Sequence, residues 1–503
     1  MHRIAGTLAF VINIIVVQAQ CKTSPLDIGW PSTDEWAALN VTIDGVLIKP
    51  QPIASSCYPG NPFNSPDSCD AVAANWSLAS FHAALPESCG SPLFANNSCL
   101  PPGVVGCTEN QGCDISGMPQ YVAERRIRSL FIWTINLYQI TVSSSWPVPG
   151  SNTTGNVLIT GSGNNYGRIL GAAMNASRVV ISSKDPTVGP GGHIQGGGHG
   201  PLSSTYRLAA DQIYQVRVVT TQREIPVADA TQNQDLIWAV RGGGAGQYGV
   251  VTEFIKTYPA PATVITASVV LSLVGNDIAA FNGLWNALGV LASAIPGLIE
   301  AGVGAGTIQG SAAKGVSILM GFTVFNSTAE ALRIIAAPVI ALIQAQAPYY
   351  SAFRVFLTEP VTYSGTTPPS NIAGLLSFIL SRLLVRFYFE RATRKESGGI
   401  YVMRTTYLHT IGTAPALDMT LSLQDTLNKA VRWAKENSEA VWREWALNTG
   451  SYMNEGNLMN SNFKKDYYSL SYDCLFEINL YVLSGVGSDA WEYNLNTGQL
   501  CRK

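Results

Sequence analysis

Two glycine-rich blocks occupy the middle of this 503-residue chain and are its strongest chemical signals. The first runs from Asp185 to Ser203 and contains His193 and His199. Glycine has no Cβ, so its backbone can approach a ligand closely and can turn at positive φ. Successive backbone N–H groups can also cup an anion such as a pyrophosphate. A flexible linker would lack Val188, Ile194 and the histidines, so this block predicts a ligand cradle.

The second block, Arg241–Gly249, contains Gly244-x-Gly246-x-x-Gly249, which is formally a dinucleotide fingerprint. That fingerprint requires a helix after the glycines. Here Val250–Ile255 follows instead, and its β-branched pattern indicates a strand. The block therefore predicts a two-strand cradle for a cofactor rather than a Rossmann turn.

A third cluster, Gly161-Ser162-Gly163, follows the predicted strand Val157–Thr160. Gly167 and Gly171 come after it. A strand that ends in such a turn can present backbone amides to a phosphate at the start of the next helix. We therefore expect a strand-to-helix phosphate turn here.

Other chemistries find little support. The chain contains no G-x-S-x-G and no H-E-x-x-H motif, which argues against an α/β-hydrolase and a zinc protease. His193 and His199 are six residues apart and could ligate a metal, but no third ligand is evident, so no metal site is expected. None of the nine cysteines forms a C-x-x-C pair.

The composition indicates a large folded protein. Hydrophobic residues make up 47% of the chain and charged residues 13%, which excludes a disordered protein and a coiled coil. The net charge of -2 gives no support for a nucleic-acid binder. At about 150 residues per domain, we expect two or three domains.

The first residues and the cysteines indicate secretion. A short basic start, an apolar run over residues 4–17 and the small residues near Ala19 are typical of a signal peptide. The run is too short for a transmembrane helix, so no membrane association is expected after cleavage. Seven of the nine cysteines lie in the first quarter, which predicts disulfides with one thiol left over. Six N-x-S/T sequons fit glycosylation: Asn40, Asn75, Asn96, Asn152, Asn175 and Asn326.

The chain divides into regions of different character. We predict a signal peptide (1–19), a Cys-rich segment (20–117), a cofactor-binding domain (118–259), an α+β substrate domain (260–445) and a tail with few helix signals (446–503). Strands are predicted at Val157–Thr160, Val179–Ser182, Gln215–Thr220, Val250–Tyr258 and Thr263–Leu273, and helices at Ser327–Gln346 and Gln424–Trp445.

The string Asp185–Ser203, then Leu208–Asp211 and Asn233–Thr252, resembles the FAD-linked oxidases of the berberine-bridge-enzyme-like family. The tail strings Ser451–Glu455 and Gly487–Trp491 resemble the C-terminal segment of that family. The Cys-rich start with Trp30-Pro31-Ser32 and Trp36 looks like its fungal secreted branch. The resemblance covers most of the chain.

The resemblance implies a PCMH-type FAD-binding fold of the vanillyl-alcohol-oxidase superfamily, which is α+β. Two subdomains hold FAD, an α+β domain with an antiparallel sheet covers the flavin, and the C-terminus returns to the FAD domain. The residues implied to line FAD are Gly161, Ser162, Gly163, Asp185, Pro186, Thr187, Val188, Gly191, Gly192, His193, Gly196, Gly197, Gly198, His199, Gly249, Val250 and Val251.

The same resemblance places the catalytic groups in the tail. Asn454 would lie by the flavin, and Glu455 stands where many relatives have a catalytic tyrosine. A carboxylate there can remove a substrate hydroxyl proton if burial raises its pKa. Tyr452 is the second candidate for this base, and the alternative for Glu455 is a salt-bridged surface acid.

Two departures from the family bear on the cofactor. Relatives have a stretch that ends near a Gly-His-Asp, whose histidine bonds the flavin 8-methyl group, whereas Tyr121–Thr134 passes directly from the start of that stretch to its end. The first FAD subdomain is therefore expected to be incomplete, through gene degeneration or misassembled exons. Asp185 stands where doubly linked members have the cysteine that bonds flavin C6. A smaller gap lies between Tyr472 and Tyr481. Any FAD is thus expected to be non-covalent.

Two function classes follow. The first is a secreted, monomeric FAD-dependent oxidase that takes a hydride from an alcohol, sugar or secondary-metabolite carbon and passes electrons to O₂. The second is an inactive fold remnant, or a binding protein, that has lost FAD loading.

Overall fold

The computed structural model describes residues 30–63, 65–88, 99–104, 107, 112–114, 120–123, 131–259, 263–273, 278–311, 317–345, 350–357, 361–362, 379–385, 406–413, 421, 423–446, 449–457, 460–483, 491–494 and 499–502. The predicted signal peptide, Cys21, Cys89, Asn96 and the string Gly487–Ala490 lie outside the described residues. No helix among the described residues is long and apolar enough to cross a membrane.

The strands are β1 (Leu47–Ile48), β2 (Val122–Ala123), β3 (Phe131–Ile132), β4 (Ile140–Pro147), β5 (Thr154–Gly161), β6 (Ile213–Val219), β7 (Val227–Asp229), β8 (Val250–Thr257), β9 (Thr263–Leu273), β10 (Val303–Ser311), β11 (Ser317–Phe325), β12 (Tyr350–Leu357), β13 (Val361–Thr362), β14 (Ile379–Val385), β15 (Thr406–Thr413), β16 (Trp491–Asn494) and β17 (Gln499–Arg502).

The α-helices are α1 (Thr33–Thr42), α2 (Cys69–Asn75), α3 (Ala79–Ala84), α4 (Tyr166–Asn175), α5 (Pro190–Gln195), α6 (Ser203–Tyr206), α7 (Gln234–Val240), α8 (Ile278–Glu300), α9 (Ala329–Gln344), α10 (Leu423–Ala434), α11 (Ala440–Trp445) and α12 (Tyr472–Leu483).

An antiparallel sheet in the order β4-β5-β8-β6-β7 forms the frame of the glycine-rich region. Alternate residues of β6, among them Val216 and Val218, face a core that also contains Phe254 of β8 and Val240 of α7. Leu475 of α12 belongs to the same core. The C-terminal helix therefore packs against the domain that carries the glycine-rich blocks.

A second antiparallel sheet has the order β10-β11-β9-β12, and β13 also pairs with β9. Leu332 and Ile343 of α9 pack on Ile265 and Phe322 of this sheet. Thr328 caps α9, since its side chain accepts from the Ala331 amide. The predicted strand Thr263–Leu273 and the helix within residues 327–346 are confirmed.

Four expectations for local structure need correction. The run Val179–Ser182 is in no sheet; Val179 donates to the Pro259 carbonyl instead. The block Arg241–Gly249 follows α7 and precedes β8, so it is a helix-to-strand loop and not a two-strand cradle. The tail contains a twelve-residue helix, α12. The predicted helix Gln424–Trp445 is interrupted by a π-helical segment at residues 435–439.

The Cys-rich segment has a small core of its own around Val72, Trp76 and Leu100. Disulfides join Cys57 to Cys69 and Cys99 to Cys113. Cys107 and Cys474 form no disulfide among the described residues.

Peptide mapping without reductant should recover the pairs Cys57–Cys69 and Cys99–Cys113. Because a bridge restricts the unfolded chain, loss of the bridge that closes the loop of 12 residues should cost about 3 kcal/mol of unfolding free energy. The double variant Cys57→Ser, Cys69→Ser measures this by urea unfolding, with Cys474→Ser as the control. Recovery of other pairs, or an unchanged midpoint in the double variant, would contradict the pairing.

Candidate functional site

The first turn of α5 is the open part of the glycine-rich loop. Gly189 precedes the helix, Pro190 fills its first position and no side chain caps it. Backbone N–H groups in a first helical turn have no partner within the helix. Gly192 is exposed, and a Cβ there would meet nothing within 4 Å. The amides of Gly191 and Gly192 can therefore donate to a polar ligand.

The turn Gly161–Gly163 forms between β5 and α4 as predicted, but its amides already have partners. Gly161 donates to the Gln139 carbonyl at 2.9 Å, Ser162 to Thr252 at 3.1 Å and Gly163 to Leu137 at 2.9 Å. A Cβ on Gly163 would lie 1.9 Å from the Thr134 oxygen. Gly161 and Gly163 leave space for the backbone of residues 134–139 to pack against them. Their amides are bonded to that backbone, so the predicted phosphate turn is not formed by these amides.

The loop Asp185–Val188 is half-buried and is fixed to α4. The amide and hydroxyl of Thr187 donate to the Asp185 carboxylate at 2.8 and 2.7 Å. Tyr166 donates its amide to the Val188 carbonyl, and Gly167 donates its amide to Pro186. Asp185 therefore closes a local turn and brings a negative charge to the edge of the loop.

His193 holds the loop from beneath. Its Nε2 lies 2.8 Å from the His199 carbonyl oxygen, and its Nδ1 lies 2.8 Å from the Tyr166 hydroxyl. A carbonyl can only accept, so Nε2 carries the proton and Nδ1 accepts from Tyr166. Burial lowers the pKa of His193 to about 3. This histidine is neutral, both its ring nitrogens are used, and it has no nitrogen left for a metal or a flavin bond.

The second glycine block supports the end of α5. Gly244 donates to the Gln195 carbonyl at 2.9 Å, and the Tyr248 hydroxyl donates to Gly243. Gly249 has a φ of 118°, and a Cβ there would lie 2.5 Å from the Val219 carbonyl oxygen. The block thus brings the backbone at Gly249 close to Val219 of β6, immediately before β8 begins.

The turn Tyr452–Glu455 from the tail lies against Gly196–Gly198. A Cβ on Gly196 would come within 2.4–2.8 Å of the Asn454 side chain. The Asn454 amide donates to the Gly192 carbonyl at 3.2 Å and to the Tyr452 hydroxyl at 2.7 Å. Tyr452 is buried, and burial raises its pKa. The resemblance placed these residues together, and the structure does the same.

Glu455 and His199 form the ionisable pair of this site. Glu455 Oε1 lies 3.5 Å from His199 Nε2, and the side chains are 28% and 35% exposed, respectively. The Tyr452 ring meets the His199 ring edge-on with centroids 4.8 Å apart. Solvent therefore reaches a carboxylate and an imidazole that can exchange a proton. The alternative interpretation of Glu455 is a salt-bridged surface acid. The contact with His199 agrees with part of that interpretation, since Glu455 has a basic side chain as its neighbour.

A buried ionic network holds the segment that carries Glu455. Arg443 of α11 pairs with Asp466 through both terminal nitrogens of its guanidinium, Nη1 and Nη2, and also donates to Asn460. The Asp466 carbonyl accepts from the Ser451 amide at 2.7 Å. Glu439, 3.6 Å from Arg443, accepts from the Asn457 side chain at 2.6 Å. The network fixes residues 451–457 at both ends.

The sequence contains no clear signal for this network. Glu439 and Asp466 lie in π-helical segments, 435–439 and 464–468. Such segments often occur at functional sites. The alternating charges of residues 424–445 were interpretable only as a surface helix, because nothing in their spacing signals an extra residue per turn.

The residues present fit a polar cofactor that carries both hydrogen-bond acceptors and donors. The Gly191 and Gly192 amides can donate to its anionic groups, whereas Asn164 Oδ1 and Gln195 Oε1 can only accept. Three buried oxygens around α5 have no hydrogen-bond partner among the described residues: Ser162 Oγ, Asn164 Oδ1 and Gln195 Oε1. Buried polar atoms in folded proteins are nearly always satisfied. The predicted cofactor residues divide into an accessible set (Gly163, Asp185, Pro186, Thr187, Val188, Gly191, Gly192, His199, Gly249 and Val250) and a buried set behind it (Gly161, Ser162, His193, Gly196, Gly197, Gly198 and Val251).

Asp466→Asn should lower the unfolding free energy by about 3 kcal/mol, because it leaves the Arg443 charge without its main partner. Urea unfolding measures the loss, and amide exchange at Ser451 and Glu455 should accelerate. The control is Glu330→Gln, whose exposed pair with Arg333 is worth less than about 1 kcal/mol. Equal effects of the two substitutions would show that the Arg443–Asp466 pair does not hold residues 451–457 in place.

His193 should remain neutral, with the proton on Nε2, from pH 8 down to pH 5. The unfolded chain binds this proton below the ordinary pKa of 6.5 and the folded chain only near 3, so His193 lowers stability as pH falls between these values. Imidazole ¹⁵N shifts report the tautomer, and His193→Gln assigns the signal. Protonation near pH 6.5 in the folded protein would show that the buried bonds do not form.

No family model matches this chain. The FAD-linked oxidoreductase ZEB1 of Gibberella zeae is 26% identical over 576 residues, covering 99% of this chain and 97% of that protein. The VAO-type flavoprotein oxidase VAO615 of Thermothelomyces thermophilus is also 26% identical, over 99% of this chain and 98% of its own length. The crystal structure of VAO-type flavoprotein MtVAO615 from Myceliophthora thermophila superposes with a TM-score of 0.80 at 23% identity, over 96% of this chain and all of that chain.

A BBE-like protein of Physcomitrella patens has a TM-score of 0.51 at 18% identity, over 70% of this chain and 78% of that chain. The predicted α+β fold of the PCMH type is therefore confirmed. The homologues of this chain are fungal FAD-linked oxidoreductases, VAO-type flavoproteins, and its structural neighbours lie in the VAO/PCMH and berberine-bridge-like family.

Proposed function

We propose that this protein is a secreted FAD-dependent oxidase that oxidises an alcohol, sugar or secondary-metabolite carbon and passes the electrons to O₂. The homologues support the cofactor and the reaction class. The observation that carries the proposal is the pair Glu455–His199, which is accessible beside the open turn Gly191–Gly192.

The accessible set of residues other than Gly163, whose amide is already bonded, would hold the cofactor. The amides of Gly191 and Gly192 suit its phosphate or ring oxygens, while the Asp185–Val188 loop and Gly249–Val250 flank them. When bound, FAD supplies the hydride acceptor and the reaction of the reduced ring with O₂. Asn454 donates to both Gly192 and Tyr452. It therefore fixes the distance between this loop and the turn Tyr452–Glu455, which we propose to be the catalytic turn.

Glu455 is the proton acceptor in this proposal. A substrate hydroxyl that approaches the accessible side of the turn can transfer its proton to Glu455, and His199 at 3.5 Å can take that proton onward. Tyr452 is the weaker candidate, because its hydroxyl is buried and its raised pKa keeps it protonated. Its part is to hold Asn454 and to pack against the His199 ring.

We propose that any FAD is bound non-covalently. Asp185 stands at the position of the cysteine of doubly linked relatives, and the histidine stretch is absent from the sequence. Both ring nitrogens of His193 are engaged, so it cannot replace that histidine.

An incomplete first subdomain is supported by two observations. The alignment with ZEB1 spans 576 positions while this chain has 503 residues, so it contains at least 73 positions (576 less 503) that the chain lacks. The parallel strands β2 and β3 are separated by only seven residues, 124–130, where such a connection usually needs about a dozen or more. The alternative function, a remnant that no longer loads FAD, rests on the same observations.

Secretion is supported by the disulfides Cys57–Cys69 and Cys99–Cys113, since disulfides persist in oxidising compartments. The sequon residues Asn152, Asn175 and Asn326 are exposed and therefore accessible to glycosylation.

Glu455→Gln should bind FAD as the parent does and should reduce it about 10²–10⁴-fold more slowly, because a general base is lost. The probes are glucose, cellobiose and benzyl alcohol, with anaerobic flavin bleaching and H₂O₂ release as readouts. Glu444→Gln, an exposed acid on α11, is the control. An unchanged rate in Glu455→Gln would remove Glu455 from this role.

Acid precipitation of the FAD-loaded protein should release all flavin into the supernatant. Flavin that stays with the pellet would contradict non-covalent binding. A parent protein that retains no FAD at any concentration tested would favour the inactive remnant.

A further inference from the structure

Lys256 is a buried amine that the proposed chemistry does not use. It lies in β8 and is 0% exposed. Its Nζ donates to the Ile181 carbonyl oxygen at 3.3 Å and lies 5.3 Å from the centroid of the Tyr166 ring. None of the described carboxylates forms an ion pair with it. Lysine is almost never fully buried without such a pair, since desolvation of its charge is costly.

The two contacts of Lys256 place it behind both halves of the glycine-rich loop. Ile181 lies four residues before Asp185, where the accessible part of the loop begins. Tyr166 donates to His193, which in turn donates to the His199 carbonyl. The amine is therefore linked to both ends of the loop, through Ile181 on one side and through Tyr166 and His193 on the other.

Few other groups near Lys256 can carry charge. Its neighbours across the sheet are Leu158 on β5 and Ile213 on β6, both apolar. Among the described residues, the titratable groups next to it are Tyr166 on α4 and, beyond the Tyr166 hydroxyl, His193 on α5. Burial raises the pKa of Tyr166 and lowers that of His193, so both are neutral near pH 7.

We propose that Lys256 is a cofactor-binding charge, whose ammonium attracts the diphosphate of FAD through the loop that separates them. This inference rests on the proposed function in one respect, namely that FAD occupies the loop. Lys256 does not contact the cofactor; it acts across a protein interior, where a charge is screened far less than in water.

The proposal predicts the direction in which FAD affinity changes with pH. Burial lowers the pKa of Lys256 to about 7 in the protein without cofactor. A bound diphosphate favours the ammonium, so FAD binding takes up a proton and the affinity falls as pH rises above 7. FAD has no group that titrates between about pH 6 and 9.

FAD titrations from pH 6 to 9, followed by flavin fluorescence, test the proposal. In the parent, the Kd should rise about tenfold across this range, the order expected for one unit charge acting within a protein. Lys256→Met should bind FAD about tenfold more weakly than the parent at pH 6 and equally well at pH 9. Lys256→Arg retains the charge and should bind as the parent does at pH 6. Lys435→Met removes an exposed lysine and should leave the pH dependence unchanged.

A second measurement needs no cofactor. The unfolded chain keeps the Lys256 proton up to pH 10.5 and the folded chain only to about 7, so the buried lysine makes the parent more stable as pH rises between these values. Lys256→Met should be more stable than the parent at pH 6, and the difference should shrink towards pH 10.5. This comparison establishes whether the amine is buried as described, whatever binds to the loop.

The outcomes separate the two claims. Equal FAD affinities and equal pH dependences in the parent and Lys256→Met would overturn the inference and leave the proposed function intact. A pH dependence that is lost in His199→Gln and kept in Lys256→Met would assign the charge to His199 and would also overturn it. A parent that binds no FAD would end both proposals.

Discussion

The candidate site depends on close packing at two glycines, where a side chain would not fit. Gly196 and Gly198 leave room for the Asn454 side chain and the His193 ring, and a Cβ at either position would come within 2.4–2.8 Å of those atoms. Gly198 also has a φ of 75°, which other residues adopt only under strain. Because the turn Tyr452–Glu455 and the buried His193 meet the loop at these two positions, a larger residue there would displace the Asn454 side chain or the His193 ring. The glycines here thus serve close packing between protein segments.

Polar interactions on either side of this contact fix its geometry. Beneath the loop, the directed bonds of His193 determine where the His199 backbone lies. Beyond the turn, Arg443 and Asp466 determine where residues 451–457 lie. An isolated buried ion pair contributes little net stability, since desolvation offsets its attraction, but removal of one partner is costly. The two networks therefore fix where Glu455 and His199 lie relative to each other.

The sequence predicted the parts of the molecule that local pattern determines. Alternation and apolar runs located β8, β9 and α9, and the resemblance placed Tyr452, Asn454 and Glu455 beside the glycine-rich loop. Neither the local pattern nor the resemblance predicted which atoms the glycines of the three clusters contact. Gly161 and Gly163 looked like an anion cup, yet residues 134–139, distant in sequence, occupy their amides. The run Val179–Ser182 is β-branched, but it lies outside the sheet, where its carbonyls meet side chains such as Lys256. Such pairings depend on tertiary approach, which a local pattern does not encode.

The proposed oxidase chemistry and the proposed incomplete first subdomain are compatible, because the site residues lie in other parts of the chain. The accessible loop, the proton-transfer pair and the buried lysine all come from residues 161–256 and 452–455, and Leu475 packs the tail into the same core. In the proposed oxidase, loss of a segment between β2 and β3 would leave these contacts in place and would act on the affinity for the cofactor. Affinity for FAD, rather than the arrangement of catalytic groups, is then the property that decides whether this chain is an enzyme.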